Sequence, residues 1–432
     1  MGMPTTADVV VIGSGITGAA TAAAAAARGA SVVLIDKEDG PAREGSGRAQ
    51  GSLRLQGRHP SEFPLAQEAL RLWNQVSAED PDQDIELSNG GNLYFCTRED
   101  EKPRLLSLVA QAQAAGLVGV EFLDREQARE IIPAASGPFL GAMWSPVDAQ
   151  CQPDKGTQLY VNRAKRAGAS FTYRVKALRL LQAADRITGV ETTAGRINAG
   201  AVVVAAGIWT PHLVRTVGLK VPMMPVCLSE VETQPLKPLF PQTIRALGFG
   251  ARQRPGGRIV VSGGLNARVA RSVSLYDLHG LRYWLPRAKS FRKNLRLRLD
   301  GRQILREIAH FGALSTGLVP YPSPEPVPDR ASVDSALSQL AVVIPETGLG
   351  RAMRYWGGMV DMTPDGLPVI ESTCGPKGLT MLAGLSGHGL ALGPVLGEIA
   401  SDLSLDGHTD RPIAAFSLDR FAGPVATPEM MI

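Results

Sequence analysis

Cysteine is scarce in this chain of 432 residues, and its four cysteines lie far apart, at Cys96, Cys151, Cys227 and Cys374. No C-x-x-C pair occurs among them. This spacing argues against a zinc site, an iron–sulfur centre and a dithiol redox motif. We expect free, buried thiols in a reducing cytoplasm.

Long hydrophobic runs and a strong net charge are also missing. The alanine-rich run 19–27 is too short to span a bilayer before Arg28 interrupts it, and the N-terminus lacks the pattern of a secretory signal. The net charge of +4 is too small to imply nucleic-acid binding by itself, and no known nucleic-acid-binding module is present. We therefore expect a cytoplasmic protein with a small-molecule ligand.

The composition that remains suits a two-lobed enzyme. The chain is longer than a single hydrophobic core usually supports, and 44% hydrophobic with 20% charged residues is ordinary for a globular protein. Apolar periodicity predicts a strand over 90–97 and helices over 102–115, 125–131 and 394–403.

A β-α-β unit opens the chain, with strands predicted over 7–12 and 31–35 and an alanine helix over 19–28. The turn Gly13-Ser-Gly-Ile-Thr-Gly18 matches G-x-G-x-x-G, which lets the backbone approach a pyrophosphate at the N-terminus of the helix. Asp36 ends the second strand, where a carboxylate can accept ribose hydroxyls. The unit predicts a dinucleotide site, but FAD and NAD share the half that it would hold.

Three later segments bear on the choice of cofactor. They are Gly45-Ser-Gly-Arg-Ala-Gln-Gly-Ser-Leu-Arg54, Val202-Val-Val-Ala-Ala-Gly-Ile-Trp-Thr210, and Thr363-Pro-Asp-Gly-Leu-Pro-Val-Ile370 followed by Gly384-Leu-Ser-Gly-His-Gly389. With the N-terminal unit, they resemble in order the motifs of the D-amino-acid oxidase type of FAD-dependent oxidoreductases, which includes glycine and sarcosine oxidases and opine and D-hydroxyproline dehydrogenases. The resemblance covers essentially the whole chain and implies FAD.

The resemblance also implies where FAD is held. The loop from Gly45 would carry its second phosphate and pass the flavin, Val175 would contact the adenine, and the turn at 387–389 would offer amides to the flavin pyrimidine edge. The predicted cofactor-binding residues are Gly13, Ser14, Gly15, Ile16, Thr17, Gly18, Asp36, Lys37, Gly45, Ser46, Arg48, Ala49, Gln50, Gly51, Val175, Ala205, Gly207, Trp209, Gly387, His388 and Gly389.

Three positions depart from the family pattern. The arginine that anchors the substrate carboxylate in several members falls on Val360, the cysteine that bonds to the flavin in others falls on Gly358, and a lysine used near flavin N5 falls on Ala391. We therefore expect non-covalent FAD and a different carboxylate anchor.

The predicted catalytic residues are Arg54, Arg354, Tyr355 and His388. Arg54 lies in a loop that resembles opine-dehydrogenase-like members, and a guanidinium suits a carboxylate. Arg354 and Tyr355 are second candidates ahead of the C-terminal motif. His388 is placed to act as a base near the flavin, although a role in capping its own turn is an equal alternative.

The predicted fold class is α/β, with a Rossmann-like FAD-binding domain and a substrate domain built on a mixed or antiparallel β-sheet. The FAD-binding domain is expected to comprise 1–85, 150–220 and 350–432, and the substrate domain 86–149 and 221–349.

A basic segment, 267–307, lies inside the second domain. Its arginines are interleaved with leucine, phenylalanine and tryptophan. Such a pattern is typical of a solvated helical face, a surface for anionic lipid or a docking site for a partner subunit, and all three stay open. A place at the inner face of the membrane is therefore an alternative to the open cytoplasm.

The predicted function is oxidation of the C–N bond of an amino, imino or opine-type acid. In the family that the chain resembles, a hydride passes to flavin N5, and the resulting imine hydrolyses. The alternatives are a flavin-dependent 2-hydroxy acid or polyol-phosphate dehydrogenase and a flavoprotein subunit of a larger complex. The choice between oxidase and dehydrogenase stays open.

Overall fold

The computed structural model shows two large β-sheets with helices packed against them. The described residues are 4–263, 269–272, 281–284, 295–299, 301, 304–305, 308 and 326–423. Most of the basic segment 267–307 lies outside them.

The regular elements are numbered in chain order. The strands are β1 (Thr6–Ile12), β2 (Val32–Asp36), β3 (Ser52–Leu53), β4 (Asn92–Cys96), β5 (Glu121–Asp124), β6 (Gly141–Ser145), β7 (Ala149–Gln150), β8 (Ser170–Tyr173), β9 (Ala177–Ala183), β10 (Arg186–Thr192), β11 (Gly195–Val204), β12 (Met224–Thr233), β13 (Thr243–Ala246), β14 (Phe249–Gln253), β15 (Ile259–Gly263), β16 (Val269–Ser272), β17 (Leu295–Arg298), β18 (Ala352–Met362), β19 (Val369–Glu371) and β20 (Leu379–Ala383). The helices are α1 (Ile16–Ala27), α2 (Phe63–Glu79), α3 (Lys102–Ala114), α4 (Arg125–Ile131), α5 (Pro153–Arg166), α6 (Thr210–Val214), α7 (Leu281–Trp284), α8 (Arg330–Val343) and α9 (Gly389–Leu405).

The first sheet has eight strands in the order β19-β20-β11-β1-β2-β8, with β10 paired to β11 and β9 to β10. Its central strand is apolar because both faces are covered. Val9 and Val11 belong to the core that includes α1 and α9, whereas Val10 and Ile12 pack in the core that includes β9 and β10.

Helices α1 and α9 pack closely because small residues meet between them. A Cβ atom on Gly397 would lie 2.5 Å from the carbonyl carbon of Ala20. Pro394 lies inside α9, where it cannot donate a hydrogen bond to the carbonyl of Leu390. The indole Nε1 of Trp73 donates to that carbonyl at 3.2 Å, which satisfies the acceptor and lets the helix continue through the proline.

The second sheet has ten strands in the order β17-β16-β12-β15-β14-β13-β4-β6-β5, with β18 also paired to β12. Parallel pairs (β4 with β13, β16 with β17) among antiparallel ones make it a mixed sheet. Helix α8 covers one face through Val333, Ala336 and Leu340. Strand β18 lies in the range predicted for the cofactor domain, yet it hydrogen-bonds to β12 from Met224↔Met362 to Thr233↔Ala352.

The predicted α/β fold class with a mixed second sheet is confirmed. The predicted helix 125–131 is α4, and the predicted helix 394–403 begins earlier, at Gly389, with Pro394 inside it. All four cysteines are free, as predicted, and Cys374 is only partly buried. In the ranges described above, no helix has the length and apolarity needed to cross a bilayer.

Candidate functional site

A cavity of about 420 Å³ opens at the carboxyl ends of β1 and β2 and is lined by residues of both sheets. Ile12, Ile35 and Val175 contribute from the first sheet and its connections. Arg245 and the segment 358–362 contribute from the second sheet. The carboxyl ends of parallel strands are the usual ligand site in open α/β sheets.

The glycine turn at the cavity is packed too tightly for side chains. A Cβ atom would lie 2.4 Å from the Ala205 carbonyl oxygen at Gly13, and 1.9 Å from the Gly13 carbonyl oxygen at Gly18. Gly13 has φ +106°, a conformation that favours glycine. The turn therefore brings β1, α1 and the end of β11 together at backbone distance.

The N-terminus of α1 points its free amides at this cavity, to which Gly15, Ile16 and Thr17 contribute. No acidic residue lies in the first turn, and the cap residue Gly15 has no side chain to occupy its amides. The hydroxyl of Ser46 accepts the Ile16 amide at 2.9 Å. This end of the helix suits a phosphate because its amides and its dipole favour an anion.

Asp36 is held in place at the tip of β2. Its Oδ2 accepts from the Ser14 amide and hydroxyl, both at 2.6 Å, and its Oδ1 accepts from the Glu38 amide at 2.8 Å. Asp36 lines the cavity, whereas Ser14 is buried behind it. Ser14 thus orients the carboxylate rather than reaching the cavity itself.

The side of the cavity at Trp209 is closed by polar contacts. The Lys37 ammonium lies 2.6 Å from Glu44 Oε1 and 5.1 Å from the centroid of the Trp209 ring, whose Nε1 donates to Glu44 Oε2 at 2.7 Å. Arg48 donates to the Gly357 carbonyl at 3.1 Å and accepts at its own carbonyl from Trp356 Nε1 at 3.1 Å. The loop that follows Gly45 is thereby tied to β18.

A buried ion-pair cluster lies beside the C-terminal turn. Glu62 Oε1 is 3.3 Å from Arg58 Nη1 and 2.8 Å from His388 Nδ1. Burial alone would raise the pKa of the Glu62 carboxyl, but His388 and Arg58 outweigh it and hold the pKa at about 2. Burial lowers the pKa of His388 despite Glu62, so the imidazole is neutral near pH 7. Because ionised Glu62 can only accept, Nδ1 carries the proton and Nε2 is the free acceptor.

Two guanidiniums in the cavity lack such partners. Within the described ranges, neither Arg54 nor Arg245 makes a hydrogen bond or ion pair through its side chain, and Arg245 lies 5.8 Å from the centroid of the Tyr94 ring. Burial and then the charge of Arg245 lower the pKa of Arg54 well below its ordinary value. A desolvated, unpaired guanidinium favours an anionic ligand.

Two buried acids also line the cavity. Burial raises the pKa of Glu230 to about 8 and that of Asp361 to about 6. In the part of the chain that the structure describes, Glu230 Oε2 and Asp361 Oδ2 have no hydrogen-bond partner. Glu230 is thus protonated at pH 7 and is able to donate a hydrogen bond.

Most of the predicted site residues line this one cavity. Four do not: Ser14 and Gly18 lie behind the glycine turn, and Arg354 and Tyr355 lie outside the cavity. The Tyr355 hydroxyl donates to Asp334 at 2.6 Å, and Arg354 lies exposed, 5.2 Å from the centroid of the Trp356 ring. Both occupy the end of β18 remote from the cavity, since the residues of this strand that line the cavity are 358–362. Arg354 and Tyr355 therefore do not reach the cavity that the other predicted site residues line.

Glu62, Arg245 and Glu230 were missed from the sequence. Glu62 follows Arg58 by four residues, a spacing that allows an ion pair but occurs in many surface helices. A glutamate within the apolar stretch of β12 was a usable signal, because a charged residue there breaks the pattern of a buried strand. No local signal distinguished Arg245.

A protein family and an individual relative both match the chain over most of its length. The profile of a family described as FAD dependent oxidoreductase matches residues 8–403. The N-methyl-L-tryptophan oxidase of Escherichia coli O157:H7 is 25% identical over 426 residues, which span 96% of this chain and 99% of the oxidase.

Solved structures share the fold. The L-amino acid deaminase from Proteus myxofaciens, in complex with anthranilate, superposes with a TM-score of 0.86 at 21% identity and covers 98% of this chain and 95% of the deaminase. The glycine oxidase from Geobacillus kaustophilus gives a TM-score of 0.78 at 23% identity, over 96% of this chain and 99% of the oxidase.

Proposed function

The chain belongs to the FAD dependent oxidoreductase family, and from this premise we propose that it oxidises the C–N bond of an amino, imino or opine-type acid. The observation that carries the proposal is the unpaired guanidinium of Arg54 in the same cavity as the glycine turn and His388. Relatives named as oxidases and deaminases of amino acids support an amine substrate over a hydroxy acid or a polyol phosphate.

The residues present fit the ADP half of FAD. The turn at Gly13 leaves no room for a side chain, the first turn of α1 has no competing acid, and Asp36 is oriented by Ser14. We propose that these groups hold the pyrophosphate and the ribose, and that Val175, Trp209 and the loop 45–51 enclose the remainder. Gly358 lines the cavity where some relatives carry a cysteine, which supports non-covalent binding.

Bound FAD would supply the acceptor for the hydride that leaves the substrate carbon. The protein would then need to fix the substrate, receive a proton and exclude water. Arg54 would hold the carboxylate through paired N–H donors. His388 Nε2 would accept the proton of the substrate ammonium, since its Nδ1 proton is committed to Glu62.

We propose that the eight-stranded sheet and its helices form the cofactor domain and that the ten-stranded sheet forms the substrate domain. The cavity residues support this division: the glycine turn and Asp36 come from the first sheet, and Arg245 and Glu230 come from the second. The division would fall near 85, 150, 220 and 350, with β18 assigned to the second sheet because it pairs with β12.

We propose a cytoplasmic location, which the free cysteines support. The arginine-rich segment 267–307 would dock on an anionic surface of a partner subunit or of the inner face of the membrane. Electrons would then pass to that partner or to a membrane carrier instead of to oxygen.

An anaerobic substrate screen tests the proposed reaction. The purified flavoprotein is mixed with amino, imino and opine-type acids and, separately, with 2-hydroxy acids and polyol phosphates, and bleaching of the flavin absorbance is followed. We expect bleaching by amines; bleaching by hydroxy acids alone would overturn the proposal. Repeating the reaction with oxygen distinguishes an oxidase from a dehydrogenase.

A further inference from the structure

The arginines around the cavity fall into two groups. Arg58 is paired with Glu62, and Arg252 donates to the Gln50 carbonyl and to Gln152 Oε1, the latter at 2.7 Å. Arg54 and Arg245 have no such partner among the described residues. Both are half-buried side chains whose pKa burial lowers, so a guanidinium without a bound counter-charge at either position favours an anion that the protein itself does not provide.

Arg245 is held in a cross-strand row of the second sheet. It is in register with Gly250, Gly250 with Ser262, and Ser262 with Glu230, so these four side-chain positions share one face, which lines the cavity. Three strand spacings separate Arg245 from Glu230, about 14 Å. Glu230 is therefore too far away to neutralise Arg245, and the row between them is small and uncharged.

The nearby acids form no hydrogen bond or ion pair with either guanidinium among the described residues, although the charge of Asp148 acts on both and its Oδ2 has no partner there. Asp148 Oδ1 accepts from the Leu55 amide at 2.9 Å and the Ser145 hydroxyl at 3.1 Å, and Asp148 does not line the cavity. Glu62 is shared by Arg58 and His388. The two guanidiniums thus face the cavity without a direct hydrogen bond or ion pair to a carboxylate of the described residues.

We propose that the substrate carries two anionic groups, with one carboxylate bound by Arg54 and the second by Arg245. The inference rests on the proposed function and narrows its substrate class to amino or imino dicarboxylic acids. Arg54 comes from the loop after β3, beside Arg58, whereas Arg245 comes from β13, beside Tyr94. Because each guanidinium can form a bidentate pair with a carboxylate, two arginines from different elements can hold two carboxylates.

The test uses substrate pairs that differ only in charge. Aspartate is compared with asparagine, glutamate with glutamine, and iminodiacetate with its monoamide, by anaerobic reduction of the flavin in the intact holoenzyme. We expect kcat/KM for at least one acid to exceed that of its amide by about tenfold or more, and Arg245→Gln to reduce this ratio to about threefold or less. The exposed Arg129→Gln is the matched control and should keep the wild-type ratio.

Two outcomes overturn the inference: acids and amides that react equally in the wild type, or an Arg245→Gln variant that slows both and keeps the ratio. Flavin absorbance reports whether the variant is folded, and Arg245→Lys, which keeps the charge, should retain part of the preference. Succinate and its monoamide are then compared by the change that they cause in the flavin spectrum. If no amine bleaches the flavin, the proposed function fails. The two-anion site is then still tested, because succinate should bind more tightly than its monoamide, and equal binding of the two would overturn the inference.

Discussion

At the residue scale, Glu230 shows how burial sets the state of a group. It lies on β12 between Ser229 and Val231, and it faces the cavity with Oε2 unpartnered within the described part of the chain. Burial raises its pKa to about 8. A neutral carboxyl group at this position is able to donate a hydrogen bond to a bound ligand, which an ionised one is not.

This raised pKa predicts that stability falls with rising pH. Between about pH 4.5 and 8, the folded protein keeps the Glu230 proton while the unfolded chain has lost it, so each pH unit costs about 1.4 kcal/mol. We expect the free energy of unfolding to fall by about 2 to 3 kcal/mol from pH 6 to pH 8 through this group. Denaturant unfolding of the wild type and of Glu230→Gln measures this difference.

The exposed Glu121→Gln is the control for Glu230→Gln and should follow the wild type across this range. If the free energies of unfolding of Glu230→Gln and of the wild type differ by the same amount at pH 6 and at pH 8, the raised pKa is contradicted.

At the element scale, the turn between β1 and α1 is set by backbone contact. Gly13 packs on the Ala205 carbonyl and Gly18 on the Gly13 carbonyl, so the start of α1 is fixed relative to the ends of two parallel strands. The free amides of α1 acquire their direction toward the cavity from this packing. Gly18 is needed for the geometry although it does not line the cavity.

We predict that Gly18→Ala displaces the first turn of α1. The added Cβ would lie 1.9 Å from a backbone oxygen, which no side-chain movement relieves. Overpacking of this kind costs about 1 to 3 kcal/mol, and the displaced amides should also bind FAD less well. The thermal midpoint and the flavin-to-protein ratio of the purified variant measure the two effects.

Gly256→Ala provides the comparison, because nothing lies within 4 Å of a Cβ atom there. Wild-type flavin content and midpoint in Gly18→Ala would refute the role of this packing.

At the scale of the whole molecule, the two sheets contribute different chemistry to one cavity. The first sheet supplies the glycine turn and Asp36, and the second supplies Arg245, Glu230 and Asp361. Strand β18 connects these contributions, because residues 358–362 line the cavity while the whole strand pairs with β12. The cavity therefore exists only when both sheets are assembled.

The prediction for the whole molecule concerns the binding of the basic segment 267–307 to an anionic surface. Reversing the charge of Arg292, Arg296 and Arg298 to glutamate should abolish salt-sensitive binding to anionic vesicles or to a partner subunit, because such contacts depend on screened Coulomb attraction. Vesicle sedimentation and the mass of the native complex are the measurements.

Reversal of the exposed residues Arg129, Arg196 and Lys220 changes the net charge equally and serves as the control. Unchanged assembly and unchanged membrane association in the Arg292, Arg296 and Arg298 variant would end the docking proposal.

The sequence predicted those parts of the site whose residues lie close together in the chain and form a recognisable motif. The glycine turn is recognisable because it places three glycines within six residues, two of which are in close contact with backbone, and Asp36 because it ends the next strand. The loop from Gly45 and the turn at His388 were found through the resemblance of contiguous motifs. Each of these features depends on neighbours in the chain.

The tertiary structure alone decided which charges face one another. Arg245 meets Tyr94 through the register of β13 on β4, and His388 meets Glu62 across most of the chain. Arg354 and Tyr355 lie next to a strong motif, yet they occupy the remote end of β18. Sequence by itself determined the position of the glycine turn, because that turn follows from local backbone chemistry, and its contiguous motifs indicated the family and the cofactor through their resemblance to known members. Strand register determined which charged residues line the cavity together, because these residues are distant in the chain and become neighbours only when the two sheets form.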